Sequence, residues 1–133
     1  MAKILIVDDE EDVRISLKQV LERAGHEVSV AKSGTEGLEM MKQEAADLVI
    51  TDVIMPGIDG IATARQIREK YRNTRIIVMS GGGKTAPEPY EPDAIKTRSY
   101  LASASGAGAD STLTKPFDRN EILRMVQKLL DEP

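Results

Sequence analysis

The sequence predicts an α/β protein built on an open, doubly wound parallel sheet. Three observations carry that reading. Short runs of branched apolar residues recur along the chain: Ile4-Leu5-Ile6-Val7, Leu48-Val49-Ile50-Thr51 and Ile76-Ile77-Val78-Met79. Runs of this kind read as strands buried on both faces. Segments with apolar residues at helical spacing alternate with them, as in repeated βα units. Each run also ends on a reactive polar residue: Asp8-Asp9, Asp52, Ser80 and, after Leu113-Thr114, Lys115.

Taken in order, residues 3–7 are the first strand. Residues 11–24 form a helix with Val13, Leu17, Val20, Leu21 and Ala24 on one face, stopped by Gly25. Residues 27–31 are a second, weaker strand. Ser33-x-x-Glu36 is a capping box that opens a helix to about Glu44. Residues 47–51 are the third strand. Asp59 caps a helix carrying Ile61, Ala64 and Ile67. Residues 75–79 are the fourth strand and 111–114 a short fifth. Asp118-x-x-Glu121 starts the last helix, with Ile122, Met125, Val126, Leu129 and Leu130 facing inward. Between the last two strands, 81–96 holds three successive glycines and Pro87, Pro89 and Pro92. Proline removes a backbone donor and clashes inside a helix, so this stretch reads as an extended loop. Asp93 caps a further helix from Ala94 to about Ser105, for a total of five.

Tight right-handed βα connections favour a flavodoxin-like strand order, 2-1-3-4-5, in three α/β/α layers. Ligands of such sheets bind at the carboxyl ends of the strands, where the order reverses. Strands 1 and 3 are neighbours there, so Asp8, Asp9 and Asp52 converge, with Ser80 and Lys115 on the same edge.

Composition narrows the function. The 133 residues suit one compact domain, 1–133. Lys+Arg 18 against Asp+Glu 22 gives a net charge of −4, which argues against bulk attraction to nucleic acid or anionic membrane. With no Trp, one Phe and three Tyr, base-stacking platforms are poorly supplied. The absence of cysteine excludes disulfides, thiolate metal sites and thiol nucleophiles. The opening apolar run is too short for a signal peptide or a membrane span. A cytoplasmic location is the expectation.

Three carboxylates in one crevice repel one another, and a hard divalent cation resolves the conflict. All-oxygen ligation suits Mg²⁺, which keeps waters and accepts phosphate oxygens. Asp52 stands alone after its strand, so its oxygen can attack phosphorus. The cation and Lys115 then neutralise the equatorial oxygens, and Ser80 donates a hydrogen bond to one of them. No general base is needed, since the carboxylate is already ionised at neutral pH. The product is an aspartyl phosphate.

Asp8-Asp9, Asp52 followed by Met55-Pro56-Gly57 and Asp59-Gly60, Ser80, and Lys115-Pro116-Phe117 together resemble the receiver domain of bacterial two-component response regulators. The likeness covers about residues 3–130. It implies that Asp52 accepts phosphate from a sensor histidine kinase or phosphotransfer protein, and that the domain catalyses its own phosphorylation and slow dephosphorylation without being a metabolic enzyme. It implies Mg²⁺ ligation by Asp9, Asp52 and the backbone carbonyl of Ile54, with Asp8 acting mostly through a metal-bound water. It places Ser80 and Lys115 on the phosphoryl group and makes the Lys115–Pro116 peptide cis. A monomer or weak dimer of the stand-alone type is expected, with output by protein–protein contact or phosphorelay.

Two features depart from the family pattern. Thr112 stands where members usually carry Tyr or Phe, and the stretch from Ser80 to Lys115 is longer than usual. They motivate an alternative, a phosphorylation-independent protein-binding module on the same scaffold. A nucleotide site at Gly81-Gly82-Gly83-Lys84-Thr85 is disfavoured. The phosphate-loop pattern needs a glycine where this chain has Val78, and a helix where it has Ala86, Pro87 and Pro89. An acidic first helical turn accounts for Glu11 and Asp12 without a site, and His26 reads as a plain surface residue.

Overall fold

The computed structural model describes residues 2–53, 60–80, 108–115 and 117–132. Five strands, β1 (Lys3–Val7), β2 (Glu27–Ala31), β3 (Leu48–Asp52), β4 (Arg75–Ser80) and β5 (Ser111–Thr114), form one sheet in the order β2-β1-β3-β4-β5. Every pairing is parallel. Four helices are described: α1 (Glu11–Arg23), α2 (Gly34–Gln43), α3 (Gly60–Lys70) and α4 (Arg119–Asp131). The predicted cap at Asp59 and helix over 94–105 lie outside the described residues, as does the loop at 81–96.

Alternation along the strands divides the core in two. Ile4, Ile6, Leu48, Ile50, Ile77 and Met79 point to one face, where Leu17 and Leu21 of α1 and Ile122, Val126 and Leu129 of α4 cover them. Leu5, Val7, Val49, Ile76 and Val78 point to the other, against Met41 of α2 and Ala64 and Ile67 of α3. A parallel sheet with helices on both sides must bury both faces, which is why its strands read as near-continuous apolar runs.

Local chemistry sets the helix ends. The Ser33 hydroxyl accepts the Glu36 N–H at 3.1 Å, and the Glu36 carboxylate reaches back to the Lys32 N–H at 2.9 Å. Asp118 accepts the Glu121 N–H at 2.7 Å to open α4. Each such cap supplies a partner for an otherwise orphan donor of the first turn. α1 closes on Gly25, whose φ of +96° lies in the left-handed region. The Gly25 N–H donates to Glu22 and the His26 N–H to Leu21, the paired bonds of a Schellman turn. That turn leaves Ala24 exposed, although periodicity places it on the inward face. The helix has already ended at that point and the chain is turning toward β2.

Candidate functional site

Strand register builds the site. β1 pairs with β3 up to Val7 opposite Thr51, and β3 with β4 up to Asp52 opposite Met79. Ser80 lies opposite Thr114 on β5. The ladder runs on beyond the strands, with the Val53 N–H donating to Met79 at 2.9 Å and the Lys115 N–H to Ser80 at 2.8 Å. Asp8, Asp52, Ser80 and Lys115 therefore leave the sheet at one edge and one level. Gly60 brings the start of α3 onto the same edge. Its N–H donates to the Val53 carbonyl at 2.9 Å. A Cβ there would fall on the Asp52 carbonyl oxygen and lie 2.8 Å from the Val53 Cα.

Lys115 joins the two buried carboxylates. Its Nζ is 3.2 Å from Asp8 Oδ2 and 3.2 Å from Asp52 Oδ2. The Asp8 side chain is fully buried, and those of Lys115 and Asp52 are 8% and 9% exposed. The other Asp8 oxygen accepts the Glu10 N–H at 2.8 Å, and Arg14 donates to the Asp8 carbonyl at 2.8 Å. Burial of the Lys115 ammonium works to lower its pKa. The charges of Asp52 and Asp8, and their hydrogen bonds, outweigh that effect and hold the pKa above its ordinary value. The lysine is thus a fixed cation at neutral pH.

Negative charge remains in excess. One carboxylate oxygen from each of Asp8, Asp9, Glu10 and Asp52 lies within 4.8 Å of the others. Four carboxylates face one ammonium, and Asp9 is ion-paired with no described cation. A compact, all-oxygen donor set of this charge fits a hard divalent cation and would disfavour a soft one. The Ser80 hydroxyl is buried and has no hydrogen-bond partner among the described residues. Buried hydroxyls are nearly always paired, so an unpaired one at a polar edge suits a group that arrives from outside. Preorganised cations and donors around a carboxylate nucleophile are what phosphoryl transfer requires.

Asp8, Asp9, Asp52, Ser80 and Lys115 are thus brought together as the sequence predicts, while Ile54 and Pro116 lie outside the described residues. Lys115, expected on a phosphoryl group, contacts the carboxylates of both Asp8 and Asp52. Glu10 was missed. It directly follows the Asp pair, but it sits in a run of five acids that a helix N-terminus explains equally well. Only the fold separates it from Glu11 and Asp12. Thr112 is half-buried on β5 beside Val78.

The chain is similar to known proteins along nearly its whole length. Residues 4–127 match the family model of the response regulator receiver domain. Sporulation initiation phosphotransferase F of Bacillus subtilis is 35% identical over 128 residues, covering 96% of this chain and 93% of that protein. Response regulator MprA of Mycobacterium leprae is 34% identical over 96% of this chain, which spans only about half, 50%, of that relative's length. The crystal structure of a response regulator receiver domain protein from Clostridium thermocellum superposes with a TM-score of 0.80 at 30% identity, covering 98% of this chain and 95% of that one.

Proposed function

Since the chain belongs to the response regulator receiver family, whose members act as phosphoacceptors in signalling, we propose that Asp52 is the residue that takes the phosphoryl group. The observation that carries this is the Lys115 ammonium held 3.2 Å from the carboxylates of both Asp52 and Asp8. An Asp52 oxygen attacks phosphorus while the bond from phosphorus to the donor breaks. With a phosphohistidine donor, the leaving imidazole nitrogen keeps the electron pair. Lys115 and the Ser80 hydroxyl bind the oxygens of the transferred group. Asp9 and Asp52 would hold Mg²⁺, with the backbone carbonyl of Ile54 as the further ligand that the family likeness implies, and Asp8 would act through a water. When bound, the cation offsets charge on the phosphoryl oxygens.

The donor is a sensor histidine kinase or a phosphotransfer protein, and the product signals by protein–protein contact or passes phosphate onward. No helix among the described residues is long and apolar enough to cross a membrane. Incubation with acetyl phosphate and Mg²⁺, followed by intact mass measurement, should show one phosphoryl adduct that EDTA or Asp52→Ala abolishes. An equal adduct on Asp52→Ala overturns the assignment. The half-buried Thr112 at the usual aromatic position keeps one rival, a binding module indifferent to phosphorylation. Titration of a partner against phosphorylated and unphosphorylated protein separates the two: equal affinities favour the rival, and a shift favours the switch.

A further inference from the structure

We propose that Glu10 is a positioning residue of this site: it tightens the divalent cation and restrains Lys115, so that the site resists anionic phosphodonors. The inference rests on the Asp52 reading above. Glu10 is the N-cap residue of α1, yet its side chain makes no capping hydrogen bond. Its carboxylate turns instead toward the strand ends. One oxygen shares the 4.8 Å cluster with Asp8, Asp9 and Asp52, and Oε1 is 3.8 Å from Lys115 Nζ. Its backbone N–H is bonded to Asp8 Oδ1, which fixes where the side chain starts. At 20% exposed, it is the most open of the three carboxylates around the ammonium.

Its position gives Glu10 two opposite effects. A fourth negative charge near the cation raises cation affinity, directly or through a bound water. The same charge draws on Lys115 and repels an incoming acyl phosphate. A mere acidic helix start does neither. It only stabilises α1 through the helix dipole.

Three forms of the full chain test this: wild type, Glu10→Gln and Glu10→Asp. Calorimetric titration with Mg²⁺ alone should show Glu10→Gln binding about three- to tenfold more weakly, with Glu10→Asp closer to wild type. At saturating Mg²⁺, acetyl phosphate should phosphorylate Glu10→Gln about two- to fivefold faster than wild type. In EDTA, Glu10→Gln should be at least as stable as wild type, because repulsion is relieved. Unchanged Mg²⁺ affinity and rate, with a less stable Glu10→Gln protein, would assign Glu10 to the helix dipole and overturn the proposal. If no form takes up phosphate while Glu10→Gln still binds Mg²⁺ more weakly, the Asp52 reading fails and the cation role of Glu10 stands.

Discussion

Replacing Asp9 with Asn should make the cation-free protein more stable. One Asp9 oxygen lies within 4.8 Å of those of Asp8, Glu10 and Asp52. At that distance each like-charge pair costs about 1 kcal/mol even at the dielectric of water, and more where the site is dry. Lys115 pairs with Asp8, Glu10 and Asp52 but not with Asp9, so its more distant charge offsets only part of this and ~2 kcal/mol of net repulsion should be released. Against a typical domain stability of roughly 5–15 kcal/mol this is a large change, and it should raise Tm by about 6 °C. With no Trp in the chain, the assay is urea and thermal unfolding followed by far-ultraviolet circular dichroism, in EDTA and across a Mg²⁺ series. Mg²⁺ at the proposed site should stabilise wild type progressively, as a ligand of the folded form alone does. Asp9→Asn would lack one of the proposed ligands and should respond far less, so the two stability curves converge and cross as Mg²⁺ rises. An Asp9→Asn protein less stable than wild type in EDTA, or one that gains equally from Mg²⁺, would refute the reasoning.

Gly60→Ala should distort the junction of β3 and α3, because the new Cβ meets the Asp52 carbonyl group. A loss of about 3 kcal/mol or more is expected in chemical denaturation, and wild-type stability would contradict the contact. His26 is the chain's only histidine, and its Nδ1 accepts the Ala2 N–H at 3.3 Å. Burial lowers its pKa from the ordinary value, so its neutral form favours folding above pH 6.5 and that contribution fades as pH falls through the lowered pKa. A proton NMR titration of the ring should give a midpoint below 6.5, and one above it would contradict the assignment. Asp110 Oδ2 accepts the Ile76 N–H at 2.8 Å and pairs with Arg68. Asp110→Ala strands the Ile76 N–H and removes the charge beside Arg68, which keeps its bonds to the Gly108 and Arg72 carbonyls, and a loss of about 1–3 kcal/mol should appear in urea unfolding. No loss would show that the edge strand needs no such tie.

The features legible in the sequence are the ones set by neighbours along the chain. The caps at Ser33 and Asp118 depend on residues three positions away, and both appear in the structure as predicted. The strands were legible because burial on two faces leaves an apolar run with no polar alternation. The meeting of Asp8, Asp52 and Lys115 followed from topology, since parallel strands bring their carboxyl ends to one edge. Contacts fixed by register were not legible. Arg68 and Asp110 are 42 residues apart, and nothing local marks them as partners. Glu10 was hidden for the opposite reason. Its local setting already had a sufficient explanation as a helix-start acid, and only the position of Lys115 shows where its carboxylate goes.

Asp52 as phosphoacceptor is tested most directly by trapping the acyl phosphate. Borohydride reduces an aspartyl phosphate to homoserine, and peptide mass spectrometry then locates the converted residue. After treatment with acetyl phosphate and Mg²⁺, homoserine should appear at position 52 and at no other aspartate. Conversion at Asp8 or Asp9, or none at position 52 in protein that carries a phosphoryl adduct, would contradict the assignment.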